Sequence, residues 1–342
     1  MYGKGGKDEM RAVTFGEIML RLSPCGYKRL VQADCFEAVY GGAEANVAVS
    51  LAQFGCDSVY VTRLPQNDLA KACRVNLQKW GVDTSKIVFG GDRVGIYYME
   101  KGISQRPSNV IYDRAGSAFA MSEANDYDFE KILDGADWFH FTGITAALGD
   151  KLTETLRTAC RIAKKKGITI SCDLNYRSKL WTKEKAAAMM APLLEMSDVC
   201  IANESQAEEV FSIESDLPES AERSRETAEK LLKKFNFKVL AFTERRTINA
   251  NRNKIFGLIY DGKEFAHSRE YTMDMVDRVG GGDAFAAGMI YALSQKYTLP
   301  DSIGFAVAAS VLKHSVEGDF NIVSVDEIQR LMRSGENGRV QR

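Results

Sequence analysis

Residues 277–285 read DRVGGGDAF: three consecutive glycines, an aspartate, then Ala284, Phe285, Ala287, Met289 and Ile290 at helical spacing. Glycine opens backbone angles closed to other residues, so the run predicts bare N–H groups gathered at a helix N-terminus. That is a cradle for an anion. The helix end carries partial positive charge, which would stabilise a phosphoryl group parting from its leaving oxygen, while Asp283 could take the proton of an attacking hydroxyl. A glycine turn capped by an aspartate would look the same in isolation, so the rest of the chain has to decide.

A second glycine-led helix lies far upstream at 40–55, YGGAEANVAVSLAQFG. It has neither the GxGxxG spacing of a dinucleotide site nor the GxxxxGK[ST] of a P-loop. Its small residues let a ligand approach the helix start, and Asn46 offers both a donor and an acceptor to a hydroxylated ligand. Close packing of the helix on a sheet would explain the small residues equally well.

Along the chain, short β-rich runs alternate with segments of helical period, which predicts an α/β fold with a mostly parallel sheet. The expected strands are 12–22, 58–62, 137–141, 168–173, 198–202, 238–243 and 255–260, and the expected helices are 43–54, 68–80, 150–166, 182–196, 219–235, 283–295 and 301–314. Gly55, Gly81 and Gly167 stand where a left-handed C-terminal residue is wanted, and Asp68, Thr182 and Asp301 are placed to cap the turns that follow. One region breaks the alternation. Residues 93–101 (RVGIYYMEK) and 109–114 (NVIYDR) form two β-type runs with no helix after either, which predicts a hairpin, and the extended stretch 29–40 could join it in a small lid sheet.

The 342 residues carry 45 Lys+Arg against 46 Asp+Glu, a net charge of −1 that leaves no electrostatic footprint for nucleic acid or an anionic membrane. Seven cysteines are scattered and never arranged as CxxC, so neither a disulfide framework nor a zinc cage is indicated, and a reducing, cytoplasmic setting is expected. No apolar run approaches the roughly 18 residues that span a bilayer, and MYGKGGKDEMR lacks the apolar stretch of a signal peptide. With no linker or repeat, a single domain over 10–335 is expected, with lid elements at about 29–40 and 93–114 and loose termini at 1–9 and 336–342.

Taken together, DRVGGGDAF and GGAEANVAVSLAQFG resemble, in order and spacing, the two signatures of the ribokinase / phosphofructokinase-B sugar kinases. Within that family GEIMLRLSP (16–24), YDRAGSA (112–118), FTGIT (141–145), DLNYR (173–177) and GDFN (318–321) are most similar to the 2-keto-3-deoxygluconate kinases. The resemblance implies a ribokinase-like three-layer fold, with helices on both faces of the central sheet and a small β lid. It makes Asp283 the general base, with Gly280, Gly281 and Gly282 stabilising the transferring phosphoryl. Gly281 stands where relatives more often carry alanine, and an extra glycine should loosen the loop. Asp277 is by resemblance a structural or monovalent-cation residue, for an ion such as K+.

By the same resemblance the substrate floor is Gly41, Gly42 and Asn46, with Tyr97, Tyr112 and Arg114 from the lid and Arg177 from the loop after a core strand. Two arginines suit a substrate bearing a carboxylate, which a guanidinium binds through two parallel hydrogen bonds. Paired tyrosines and surface arginines would be the plainer reading. Asn203, Thr243 and Arg245 fall at the nucleotide, with Glu204 at Mg2+ through water. Two departures bear on that assignment: Gln206 replaces an acidic residue, and TERRT (243–247) replaces a glycine-containing loop. His140, His267 and His314 lie in dissimilar contexts, and His140 reads as a core residue. The expected activity is ATP-dependent phosphorylation of the terminal hydroxyl of 2-keto-3-deoxygluconate. A fructokinase or ribokinase is the alternative within the class, and a non-catalytic sugar or nucleotide sensor the alternative outside it. A homodimer through the lid is expected if the lid's outer face is apolar.

Overall fold

The computed structural model describes residues 9–213, 215–217 and 221–334; apart from Glu9, the expected loose termini lie outside them. The strands in chain order are β1 (Arg11–Phe15), β2 (Met19–Pro24), β3 (Phe36–Gly41), β4 (Asp57–Val61), β5 (Arg63–Leu64), β6 (Val88–Phe89), β7 (Gly95–Glu100) and β8 (Asn109–Asp113). They continue as β9 (Trp138–Thr142), β10 (Thr169–Asp173), β11 (Val199–Ala202), β12 (Val239–Thr247), β13 (Arg252–Tyr260), β14 (Phe265–His267) and β15 (Tyr271–Asp274).

Nine strands form the main sheet, in the order β14-β13-β12-β11-β10-β9-β1-β4 with β15 also on β13. From β4 to β12 every pairing is parallel, and only the β13, β14 and β15 pairings run antiparallel. The parallel strands are apolar on both sides because both faces are covered. On β11, Cys200 and Ala202 join one core with helices Asp150–Lys165 and Lys183–Leu194, while Val199 and Ile201 join another with helices Gly281–Ser294 and Leu299–Lys313. The expected three-layer α/β architecture is what the chain adopts.

A four-stranded sheet, β3-β2-β7-β8, makes the lid. The expected hairpin is present as β7 and β8, but 29–40 contributes only β3, which reaches the hairpin through β2; Leu30–Gln32 is a helical turn. The expected strand 12–22 is therefore two strands in two sheets. The chain leaves the main sheet at Gly16, where an added Cβ would lie 2.1 Å from the Glu44 carboxylate. The lid alternates as a two-faced sheet must: Tyr97 and Met99 turn inward and are buried, while Tyr98, Phe36 and Ile111 turn outward.

Thr182 caps its helix as expected, accepting from Lys185 N, but Asn67 and Thr298 cap the helices assigned to Asp68 and Asp301. A cap must be extended and precede the first helical residue, and Asp68 and Asp301 are already inside. TERRT is not a loop; it continues β12 and pairs with residues 253–257 of β13. Among the described residues no helix is long and apolar enough to cross a membrane.

Candidate active site

A cavity of about 510 Å³ opens beyond the C-terminal ends of β10, β11 and β12, roofed by the inner face of the lid. Ligands of open parallel sheets bind in such a crevice. Two helix N-termini enter it, those of Ala43–Gln53 and Gly281–Ser294. Gly280 takes φ +83°, and a Cβ there would lie 2.1 Å from the Asp319 carbonyl oxygen, so the turn into the second helix requires glycine. At Gly281 a Cβ would lie 2.1 Å from the His314 ring. The extra glycine therefore does not loosen the loop; it makes room for an imidazole.

Asp283 sits in the first turn of that helix and lines the cavity. Burial pushes its carboxyl up to about 6, against the opposing pull of the Asn46 hydrogen bond and the Arg177 charge. Asn46 Nδ2 donates to Asp283 Oδ2 at 2.6 Å while Asn46 Oδ1 accepts from Gly42 N at 3.3 Å. Asn46 thus orients Asp283 while lining the cavity with a second N–H and a second lone pair that these bonds leave unused. Among the described residues nothing engages Asp283 Oδ1, which is left for an incoming hydroxyl. Asp173, at the end of β10, is pushed up to about 7 by burial first and by the Asp283 charge second. Its Oδ1 accepts from Asn175 N at 3.0 Å, and Asn175 takes φ +38° to turn the chain into the cavity.

The lid is tied to this floor by buried charge. Arg21 of β2 donates to Asp319 Oδ1 at 2.8 Å and to Asp277 Oδ2 at 2.7 Å, with all three side chains nearly inaccessible. Tyr97 O–H donates to Asp319 Oδ2 at 2.5 Å, and its ring faces Tyr112 across the hairpin at 6.0 Å. Asp277 also accepts from Gly318 N and Val279 N and does not line the cavity. Gly41 does not line it either: it packs against the Asp319 carboxylate, with Gly42 in front.

The two expected arginines differ. Arg114 lines the cavity, but both its Nε (2.8 Å) and a terminal nitrogen donate to Glu17 Oε2, while Ser117 takes Glu17 Oε1 at 2.5 Å. Arg177 also lines the cavity and has no ion-pair partner among the described residues. Thr243, Arg245 and Arg278 also line the cavity, and neither of these arginines has an acidic partner among the described residues. Burial lowers Arg245 to about 10, helped by the charge of Arg278.

Asn203 caps helix Glu204–Phe211, accepting from Gln206 N at 2.8 Å, and Gln206 Oε1 accepts from Asn203 N in return. That reciprocal cap gives Gln206 a use that needs no metal. The Glu204 carboxylate faces away from the cavity lining, accepting from Arg223 Nε at 2.6 Å and Ser224 Oγ at 2.7 Å. It is committed to protein donors, so the expected water-mediated metal role does not fit it. Among the described residues no group of three or more His, Cys, Asp or Glu could hold a metal. His140 is a core residue on β9, its imidazole pushed down to about 3 by burial.

Sequence reasoning missed Glu17, Asp173, Arg278 and Asp319, although each lies in a stretch quoted for the resemblance: GEIMLRLSP, DLNYR, DRVGGGDAF and GDFN. A charged residue inside an otherwise apolar or glycine-rich motif was the available signal.

A family model described as pfkB family carbohydrate kinase matches residues 10–324. The chain is similar to the crystal structure of 2-dehydro-3-deoxygluconokinase from Thermotoga maritima, with 48% identity and a TM-score of 0.93 over 95% of this chain and 98% of that one. It is also similar to a pfkB family carbohydrate kinase structure from Listeria grayi, at 34% identity and a TM-score of 0.90 over 94% and 99%. Among curated proteins, 2-dehydro-3-deoxygalactonokinase of Haloferax volcanii is 33% identical over 95% of this chain and 98% of its own length.

Proposed function

The chain belongs to the pfkB family of carbohydrate kinases and so transfers a phosphoryl group to a sugar hydroxyl, and we propose that its acceptor is the terminal hydroxyl of 2-keto-3-deoxygluconate, with ATP as donor. The observation that carries this reading is Arg177, an exposed cation that lines the same cavity as Asp283, acts on Asp283 and Asp173 through space, and makes no direct ion pair among the described residues. A neutral ketose or aldose has no carboxylate to answer it. The similarity to the Thermotoga 2-dehydro-3-deoxygluconokinase points the same way. A second reading, the galactonate epimer, is favoured by the Haloferax relative, and it uses the same carboxylate.

In the proposed reaction Asp283 Oδ1 accepts the proton of the terminal hydroxyl. The freed oxygen bonds to the γ-phosphorus as the bond from that phosphorus to the bridging oxygen breaks, and ADP leaves. The amides of Gly280, Gly281 and Gly282 and the helix end carry the charge that develops. Gly42, with Gly41 packed behind it, keeps the floor low, Tyr97 and Tyr112 wall the lid side, and Asn203, Thr243 and Arg245 meet the nucleotide. Mg2+ usually keeps several waters and binds through substrate phosphates, so it needs no protein cage here. Asp277, held by Arg21, has its structural role filled, and a monovalent cation such as K+ is left to a direct titration.

The outward lid face leaves Phe36 and Ile111 exposed, and a second copy of the chain is the proposed cover. Light scattering of the purified protein should give twice the chain mass. The reaction is tested by incubating the enzyme with ATP, Mg2+ and either epimer, and following phosphorus NMR. A phosphomonoester coupled to two methylene protons is expected; none with either epimer would overturn the reading.

A further inference from the structure

His314 stands just past helix Leu299–Lys313, fully buried, with its ring against the bare α-carbon of Gly281. Its Nδ1 lies 2.6 Å from the carbonyl oxygen of Ser310, which can only accept, so Nδ1 carries the hydrogen. Nε2 is then a lone-pair acceptor, and a terminal nitrogen of Arg245 donates to it at 2.9 Å. An arginine that lines an anion-binding cavity is thus held by a neutral imidazole and not by a carboxylate. The difference matters chemically. A carboxylate would cancel the guanidinium charge; an imidazole fixes its direction and leaves the charge whole for a ligand.

Resting on the kinase reading above, we propose that His314 is a positioning residue that aims Arg245 at the phosphates of the nucleotide, and that Gly281 is glycine because this ring occupies the space of a side chain. The arrangement links the anion cradle to β12: the residue that widens the glycine run admits the ring, and the ring fixes the arginine. Arg245 is paired with Ile255 of β13, so its backbone is held in that ladder and the remaining freedom is in its long side chain. Removing that freedom before ATP arrives saves ordering entropy at the moment of binding.

The test is a double-mutant cycle with ATP as the varied substrate. Arg245→Ala should lower kcat/KM for ATP about 10²-fold, the lower range for losing one preorganised donor at a phosphoryl site. His314→Leu should lower it about tenfold, the small end of what one hydrogen bond to a charged group supports. The double variant should be no worse than Arg245→Ala alone, and KM for the sugar acid should stay within about twofold throughout. His314→Gln, whose Oε1 can still accept from Arg245, should recover most of the loss and keeps the test open if the leucine variant folds poorly. Losses that multiply to about 10³-fold, or a glutamine variant as slow as the leucine one, would overturn the proposal. Wild-type enzyme that releases no ADP with either epimer would instead sink the kinase reading on which it rests.

Discussion

At the proposed sugar end the charges that join lid to floor are answered from within the protein; at the proposed phosphate end the cations are not. Arg21 meets Asp277 and Asp319, Arg114 meets Glu17, and Tyr97 donates to Asp319. Arg245 and Arg278 line the cavity along with the glycine run, with no acidic partner among the described residues. The first arrangement fixes shape: buried pairs hold lid to floor, so the hydroxyls of a sugar meet a wall already in place. The second leaves charge uncancelled, as the proposed nucleotide phosphates would require. Arg177 is the exception on the sugar side, and an exposed cation there is what a carboxylate on the acceptor would need.

Breaking the sugar end should have the largest effect. Arg21→Leu leaves Asp277 and Asp319 buried without their cation, and removing one partner of a buried pair costs about 3–5 kcal/mol. Denaturant unfolding reads this directly, and a loss under about 1 kcal/mol would mean that packing alone joins lid and floor. Asp283→Asn should lower turnover by at least about 10²-fold, the usual lower range for a general base, with both substrates still bound. Isothermal titration and turnover together separate that outcome from misfolding, and near wild-type turnover would make Asp283 a helix cap only.

The half-buried base also sets a pH dependence. Asp283 is raised from 3.8 to about 6, so kcat/KM for the sugar should fall as pH drops through that region, because the protonated carboxyl cannot accept the hydroxyl proton. Asp173, raised to about 7 beside it, shares the titration, and the acid limb belongs to the pair. An acid limb near pH 4 would place the base in water rather than in this cavity. A smaller difference is expected between the two arginines. Arg177→Ala should weaken sugar-acid binding tenfold to about a hundredfold, as loss of charge-assisted hydrogen bonds to a carboxylate requires. Arg114→Ala should instead strand Glu17 and show mainly in thermal stability. Equal effects on KM would erase the distinction between a paired and an unpaired arginine.

The alternation of strands and helices and the two glycine-led helix starts were legible in the sequence because each is local: periodicity and glycine need no partner to be seen. The partners were not. Nothing in YDRAGSA says that Arg114 will meet Glu17, 97 residues earlier, nor that Arg21 will sit between Asp277 and Asp319. The break at Gly16 was read through because apolar residues continue on both sides, and only the close approach of Glu44 shows why the chain changes sheet there. His314 looked like an isolated histidine, since its meaning lies in the space left by Gly281. Departures from the common motifs were visible, but their compensation was not: Gln206 completes a helix cap with Asn203, and TERRT extends a strand.

The measurement that tests the account most directly is the wild-type coupled ADP-release rate with 2-keto-3-deoxygluconate set beside fructose and ribose. The unpaired Arg177 predicts a kcat/KM at least about tenfold higher for the sugar acid, since one charge-assisted contact supports that much. Equal efficiency with the neutral sugars would contradict it.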